Sequence, residues 1–240
     1  MEPARHELDD LRANTLLAGL PEEEFEPLRG RLDVVGVQLR DQVYQPREPI
    51  SEVYFPLTSV FSMVAVADDH IAVEVGTIGH EGMVGLPLFL GAPTSPNAAF
   101  CQIAGRAARM GAADLHEFLG HDGALHGMLH RFTQTTMVQL AQNVACNMTH
   151  STEQRAARWL LTTGDRVRSD QFLLTQEFLG QMLGVRRQTT SETASALQTD
   201  GLIHYTRGNV TITDREGLIR RACECYQIVR AEFDALVSGE

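Results

Sequence analysis

Thr175-Gln176-Glu177-Phe178-Leu179-Gly180-Gln181-Met182-Leu183-Gly184-Val185-Arg186-Arg187-Gln188-Thr189-Thr190-Ser191-Glu192-Thr193-Ala194-Ser195-Ala196-Leu197 decides the fold of this chain. The first half predicts a short helix. Thr175 is an N-capping residue type, Phe178, Leu179 and Met182 fall on one face, and Gly184 permits the left-handed backbone at which such helices stop. Gly180, lacking a Cβ, lets a neighbouring helix come close. The second half predicts another helix from about Arg186 to Thr199, anchored by Ala194 and Leu197 and ended by Gly201. Leu202-Ile203 begins a strand, and His204 to Ile212 reads as a hairpin turning at Gly208-Asn209. Helix, glycine turn, helix and hairpin is the order of a winged helix-turn-helix.

The side chains on the second helix suit a DNA major groove. Arg forks onto guanine O6 and N7, and Gln onto adenine N6 and N7, so Arg186-Arg187-Gln188-Thr189 at a helix start is a reading head. Ser191, Glu192 and Ser195 share that outer face one turn on. Glu192 either accepts from a cytosine amino group or orients Gln188 or Arg187. Arg207 and Asn209 of the hairpin, with Thr175 and Gln176 at the start of the first helix, complete the DNA-binding set. Arg186 and Arg207 are assigned to the phosphate backbone.

A net charge of −11 taken as a total opposes such a partner, but its distribution does not. Residues 1–150 carry 9 Arg against 19 acidic residues, whereas residues 151–240 carry 11 Arg against 12. The acidity belongs to the first part of the chain. Ser151-Thr152-Glu153-Gln154 reads as a capping box opening a helix that turns Ala156, Trp159, Leu160 and Leu161 inward. The domain boundary is therefore placed there.

Outward toward the N-terminus, residues 122–150 read as one long helix. Leu125, Met128, Leu129, Phe132, Thr136, Leu140, Val144 and Met148 form a three-four stripe. Its length, with polar Asn143 and Asn147 interleaved, predicts a two-helix dimer seam carried by Leu125, Leu129, Phe132, Thr136, Leu140, Asn143 and Asn147. Leu32 to Met110 reads as short strands, including Ser51–Phe55, Val60–Val66, Ile71–Val75, Ala99–Ile103 and Arg106–Met110. Glycines recur at 76, 79, 82 and 85, as tight corners or as a small-molecule cradle. Two short helices precede the strands. Leu8, Leu11, Leu16, Leu17 and Leu20 mark the first, and Pro21 with the solvated acidic turn Glu22-Glu23-Glu24 starts the second. The fold class is α+β: an N-terminal antiparallel β-roll of jelly-roll type at 1–121, a dimerisation helix at 122–150 and a winged helix-turn-helix at 151–240.

This order of parts resembles the Crp/Fnr family of bacterial regulators, from Leu16 to about Val237. Leu174 to Ile203, Ser151 to Leu161 and the corner Ile78-Gly79-His80-Glu81-Gly82-Met83-Val84-Gly85 carry the likeness. The resemblance implies a homodimeric transcription regulator on a two-fold DNA operator, with Arg187, Gln188 and Glu192 reading bases and RNA polymerase as a further partner. It also implies an effector pocket at Gly82, Gly85, Leu86, Asn97, Leu140 and Ala141. Cyclic-AMP-responsive members place a Glu after the glycine matching Gly85 and an Arg downstream; here Leu86 follows, and residues 92–98 contain no Arg. Leu140 and Ala141 stand where those members present hydroxyls to the adenine. Cyclic AMP is therefore not expected as the ligand, and no effector is specified.

Other classes find less support. No nucleophile–base pair, Gly-x-Ser-x-Gly elbow or His-Glu-x-x-His helix is present, so no enzyme is expected. The competing reading is a sensor module whose C-terminal helices contact a protein. Neither a signal peptide nor an apolar run of membrane-spanning length is visible, which predicts a cytoplasmic chain without a membrane partner. Cys101, Cys146, Cys223 and Cys225 are expected as core thiols, with no metal and no cofactor. Cys223-x-Cys225 would point to two sides of a helix.

Overall fold

The computed structural model describes residues 10–66, 72–120 and 123–238. Two antiparallel sheets make the N-terminal roll. One holds β1 (Asp33–Val37), β7 (Gly105–Gly111) and β3 (Glu52–Pro56) in the order β1-β7-β3. The other holds β2 (Gln42–Tyr44), β6 (Ala98–Ile103), β4 (Val60–Val66) and β5 (Ala72–Ile78) in the order β2-β6-β4-β5. Val53, Phe55, Phe61, Ala99, Cys101, Ala107 and Ala108 are fully buried in or beside the core between the sheets. Each large apolar side chain enclosed this way contributes about 1.5–3 kcal/mol.

The N-terminal segment closes one end of the roll through a buried amide. Asn14 Oδ1 accepts from the backbone N–H of Leu16 and Leu17, capping helix Thr15–Ala18. Its Nδ2 donates to the carbonyls of Pro56 (3.0 Å) and Gly82 (2.9 Å). The next helix, Glu22–Arg29, starts after Pro21 as expected. Its acidic turn is not wholly solvated. Glu24 accepts from the backbone N–H of Ala124 (2.8 Å) and Leu125 (3.3 Å) and so caps the long helix, whose own N-cap residue, Gly123, has no side chain to offer. Leu8 lies outside the described residues.

The long helix runs Ala124–Thr149 and lies on its own chain. Leu125, Leu129, Phe132 and Thr136 are buried there, so this part of the expected seam is covered internally. Asn143 turns inward as well: its Nδ2 donates to the Val75 carbonyl at 2.7 Å. Leu140 is half-buried, and of the seven expected seam residues Asn147 alone is exposed. The stripe left bare is Met137, Ala141, Val144 and Met148, with Met137, Val144 and Met148 at 60%, 67% and 83% exposure. The helix has apolar residues on more than one face, and the roll covers the face that sequence spacing made most prominent.

Corner glycines serve this packing. A Cβ on Gly82 would lie 2.3 Å from the Phe132 ring, and one on Gly79 would lie 2.6 Å from Arg166 Cβ. Gly85 has φ +106° and sits against Val53. Gly79 and Gly82 let helices press on the roll, and Gly85 lets the corner lie against strand β3.

The long helix ends at His150, and Ser151 caps helix Thr152–Val167 with both halves of the capping box formed with Gln154. A small sheet of order β8-β10-β9 follows, from β8 (Gln171–Leu173), β9 (Ile203–Thr206) and β10 (Asn209–Ile212). After helix Arg215–Arg221, the last helix, Cys225–Ser238, returns to pack along the long helix. Leu236 of this helix joins the core of the roll. No helix among the described residues is long and apolar enough to cross a membrane.

Candidate nucleic-acid interface

The two helices of the quoted stretch form as expected, over Gln176–Leu183 and Arg187–Thr199. Thr175 Oγ1 accepts from the Phe178 N–H at 3.1 Å, and Gly184 adopts φ +65°. A Cβ on Gly180 would meet Thr190 Oγ1 at 2.6 Å, so glycine here sets how closely the helices cross. Thr190, Thr193, Ala194 and Leu197 face inward and are buried. Helical periodicity then forces Arg187, Gln188, Glu192 and Ser195 outward, and all four are exposed, as is Arg186 at the N-cap.

Polar contacts arrange this face. Gln188 Nε2 donates to Glu192 Oε1 at 2.9 Å, and Ser191 Oγ donates to Gln176 Oε1 at 2.8 Å. Ser191, Gln176 and Thr189 are half-buried, which makes the first two a brace between the helices. The hairpin turns at Arg207-Gly208, one residue earlier than expected, because Thr206 pairs with Asn209 across a two-residue loop. Both loop residues have positive φ, 51° and 79°, as a type I′ turn requires. Arg207 is thereby exposed at the tip, while Asn209 is half-buried in the sheet.

Charge pairing leaves this face open, although among the described residues Arg155, Arg158 and Arg168 of the same region likewise have no carboxylate ion pair. Elsewhere in the same region Arg215 pairs with Asp165 and Asp170, Arg220 with Asp214, and Arg221 with Glu153 and Asp200. Among the described residues, no carboxylate pairs with Arg186, Arg187 or Arg207. Three unneutralised guanidiniums on an exposed helix start and loop tip are an electrostatic footprint for phosphate.

The reading head is fastened to the roll. Phe178 meets Phe100 edge-on at 6.3 Å, and Val60 and Ile103 of the roll share an apolar cluster with Trp159, Phe178, Met182 and Val210. Beneath lies a buried polar hub. Arg166 Nε donates to Glu81 Oε1 at 2.7 Å, Nη2 donates to Gln139 Oε1 at 2.7 Å, and Nη1 donates to Thr77 Oγ1. Burial alone would raise the Glu81 carboxyl, but the Arg166 charge overrides it and holds the carboxyl below its ordinary range.

Glu74 occupies the same junction and behaves oppositely. Ser62 Oγ donates to it at 2.7 Å and Trp159 Nε1 at 2.9 Å. Burial nevertheless pushes its carboxyl up to about 7, against those bonds and the charges of Arg166 and Arg158. The folded value lies above the ordinary 4.5, so folding takes up a proton between those two pH values. The stability this gives is present below pH 4.5 and lost as pH rises through about 7. Glu74→Gln should therefore raise the melting temperature relative to the parent most above pH 7. The gap should close toward pH 4.5; a gap that ignores pH would contradict the assignment.

Each of the six expected effector residues has a local packing, hydrogen-bonding or solvent-exposed environment of its own. Gly82 and Gly85 serve packing, Leu86 is buried at the start of a short helix, and Asn97 N–H donates to Ser95 Oγ. Leu140 packs near Gly76, and Ala141 is exposed. A cleft of about 250 Å³ does open nearby, but residues including Thr15, His80, Arg166, Tyr226, Arg230 and Phe233 line it. The four cysteines are buried free thiols as expected, but Cys223 and Cys225 are placed differently from the expected helical pair. Cys223 lies in the bend before the last helix and Cys225 opens that helix, so the two do not share a helix and both approach Cys146.

Residues 154–221 match the Crp-like helix-turn-helix domain family. No curated protein matches the chain in sequence. Among solved structures, FixK2 from Bradyrhizobium japonicum is similar at TM-score 0.68 and 18% identity, covering 80% of this chain and 98% of that one. A putative Crp/Fnr-family regulator from Eubacterium rectale superposes at 0.64 with 14% identity, covering 85% and 96%. A CRP-family regulator from Thermus thermophilus gives 0.63 and 17%, covering 78% and 96%. Residues 154–221 therefore belong to the Crp-like helix-turn-helix family, on a chain with the Crp/Fnr regulator fold.

Proposed function

We propose that this chain is a sequence-specific DNA-binding transcription regulator acting as a homodimer. The observation that carries the reading is the exposed start of helix Arg187–Thr199, where Arg187, Gln188 and Glu192 project together and Arg186 and Arg187 have no carboxylate ion pair among the described residues. Arg187 and Gln188 read base edges, and Glu192 holds the Gln188 amide in place. Arg186 and Arg207 bind phosphates, and Thr175, Gln176, Thr189, Ser191, Ser195 and Asn209 support or extend the contact. The β-roll, the long helix and the winged domain at 1–121, 122–150 and 151–240 act as sensor, seam and reader.

Dimerisation is assigned to the bare stripe Met137, Ala141, Val144 and Met148, with Asn147 beside it. Its four-three-four spacing is that of a coiled-coil seam. No effector is assigned, and cyclic AMP is disfavoured because Leu86 and residues 92–98 supply neither carboxylate nor guanidinium.

The test is Arg187→Ala on the preferred duplex, followed by fluorescence anisotropy. Affinity should fall by about 1–3 kcal/mol, and selectivity should relax at one base pair per half-site. Unchanged affinity in a folded dimer would remove Arg187 from the reading set. Arg207→Ala should instead weaken all duplexes about equally.

A further inference from the structure

Where the long helix meets the last helix, four metal-ligating side chains converge. Cys146 and His150 stand four residues apart, at the end of the long helix, on one face. Cys223 and Cys225 reach them from the bend and the first turn of the last helix. Cys146 Sγ lies 3.5 Å from Cys223 Sγ, and Cys225 Sγ lies 3.5 Å from His150 Nδ1. All four donor atoms fall within 4.8 Å of one another. A tetrahedral ion with metal–sulfur bonds near 2.3 Å and metal–nitrogen bonds near 2.0 Å separates its donors by roughly 3.5–3.8 Å. Little adjustment would close the site.

Two further observations separate this cluster from thiols that merely fill a core. Cys146, Cys223 and Cys225 form a buried cluster of their own, with no Leu, Ile, Val or Phe among its buried members, unlike the two large cores. Around it lies an outer set of polar groups. Gln142 Nε2 donates to Cys225 Sγ at 3.1 Å. The His150 nitrogen on the far side, Nε2, is 3.3 Å from Glu224 Oε1, the carboxylate–imidazole arrangement that orients a metal-bound histidine. Cys223 and Cys225 lie just past the residues that match the helix-turn-helix family, so that domain does not account for them.

We propose that Cys146, His150, Cys223 and Cys225 bind one thiophilic divalent cation of the zinc type, which pins the last helix to the end of the long helix. His150 is also the C-cap where the long helix gives way to the reading domain, so the ion fixes the angle between seam and reader. The chemistry is ligand exchange: each bound thiol releases its proton to solvent, and no oxidant is needed.

The experiment uses the full chain, purified under reductant and loaded with zinc or cobalt(II). Native mass spectrometry should show one zinc per chain. Cobalt should give the intense d–d and thiolate-to-metal charge-transfer bands of a tetrahedral thiolate site. Cys225→Ser and His150→Ala should lose or shift those bands, and Glu224→Gln should keep them while weakening zinc binding about 10–100-fold in chelator competition. A metal-free mass in excess zinc, with Cys146, Cys223 and Cys225 all open to alkylation and no cobalt bands, would overturn the proposal. So would a Cys146–Cys223 disulfide in the reduced preparation, which would make the pair a redox element. If the variants fail to fold, the cobalt titration of the unmodified chain decides alone.

Discussion

In the proposed dimer, replacing Val144 with Glu should leave monomers and lower operator affinity by about 10²–10⁴-fold. Val144 lies at the middle of the bare stripe and is 67% exposed in the single chain, so the change leaves the internal core untouched. In a two-helix seam the same position on both partners comes together, and each Glu would face a like charge in an apolar contact. Each half-site contact would survive, but the second would no longer follow the first at high effective concentration. Analytical ultracentrifugation and binding to a full and a half operator separate the two effects. A Val144→Glu dimer with unchanged operator affinity would place the seam elsewhere. Phe132→Ala is the contrast: its ring is enclosed within the chain, so it should cost about 3–5 kcal/mol of stability through a cavity rather than through dissociation.

Arg166→Met should be the most damaging polar substitution, costing about 3–5 kcal/mol. Arg166 is 4% exposed and serves Glu81, Gln139 and Thr77 at once, tying the helix Thr152–Val167 to the roll corner and the long helix. Methionine fills similar volume, so the loss is one of charge and hydrogen bonds. It strands the Glu81 carboxylate in a buried site, where one oxygen, Oε2, has no hydrogen-bond partner among the described residues, with His80 Nδ1 at 3.9 Å. The carboxyl should then rise toward neutrality and take up a proton, which makes the defect milder in acid. Adding Glu81→Gln removes the stranded charge, so the double variant should recover part of the loss. Denaturant unfolding checks both. A single-variant loss under about 1 kcal/mol would show that the hub does not hold the two parts together.

The reading helix was legible in the sequence because one local rule governs it. With Thr190, Thr193, Ala194 and Leu197 turned inward, the helical period leaves Arg187, Gln188, Glu192 and Ser195 outside. The capping box at Ser151 and the strands of the roll are likewise short-range signals. Which face of the long helix stays exposed was not legible. Leu125, Leu129 and Phe132 and the bare Met137, Val144 and Met148 lie on the same long helix, and only tertiary packing decides which face the roll covers. The wing turn slipped by one residue because Arg207, not a glycine or asparagine, takes the first left-handed position. Glu24 looked like a solvated turn because the helix it caps begins 100 residues later. Cys146 and Cys223 are 77 residues apart, and a local pattern cannot report that they meet. The spacings Cys146-x-x-x-His150 and Cys223-x-Cys225 were the available signals, each weak without the other.

Selection of duplexes from a random library by the purified chain tests the central claim most directly. The chain should enrich a two-fold motif with half-sites about one helical turn apart. A variant carrying Arg187→Ala, Gln188→Ala and Glu192→Ala should retain salt-dependent binding but lose the motif. Enrichment of no motif, or of the same motif by the triple variant, would contradict the assignment of this helix as the reader.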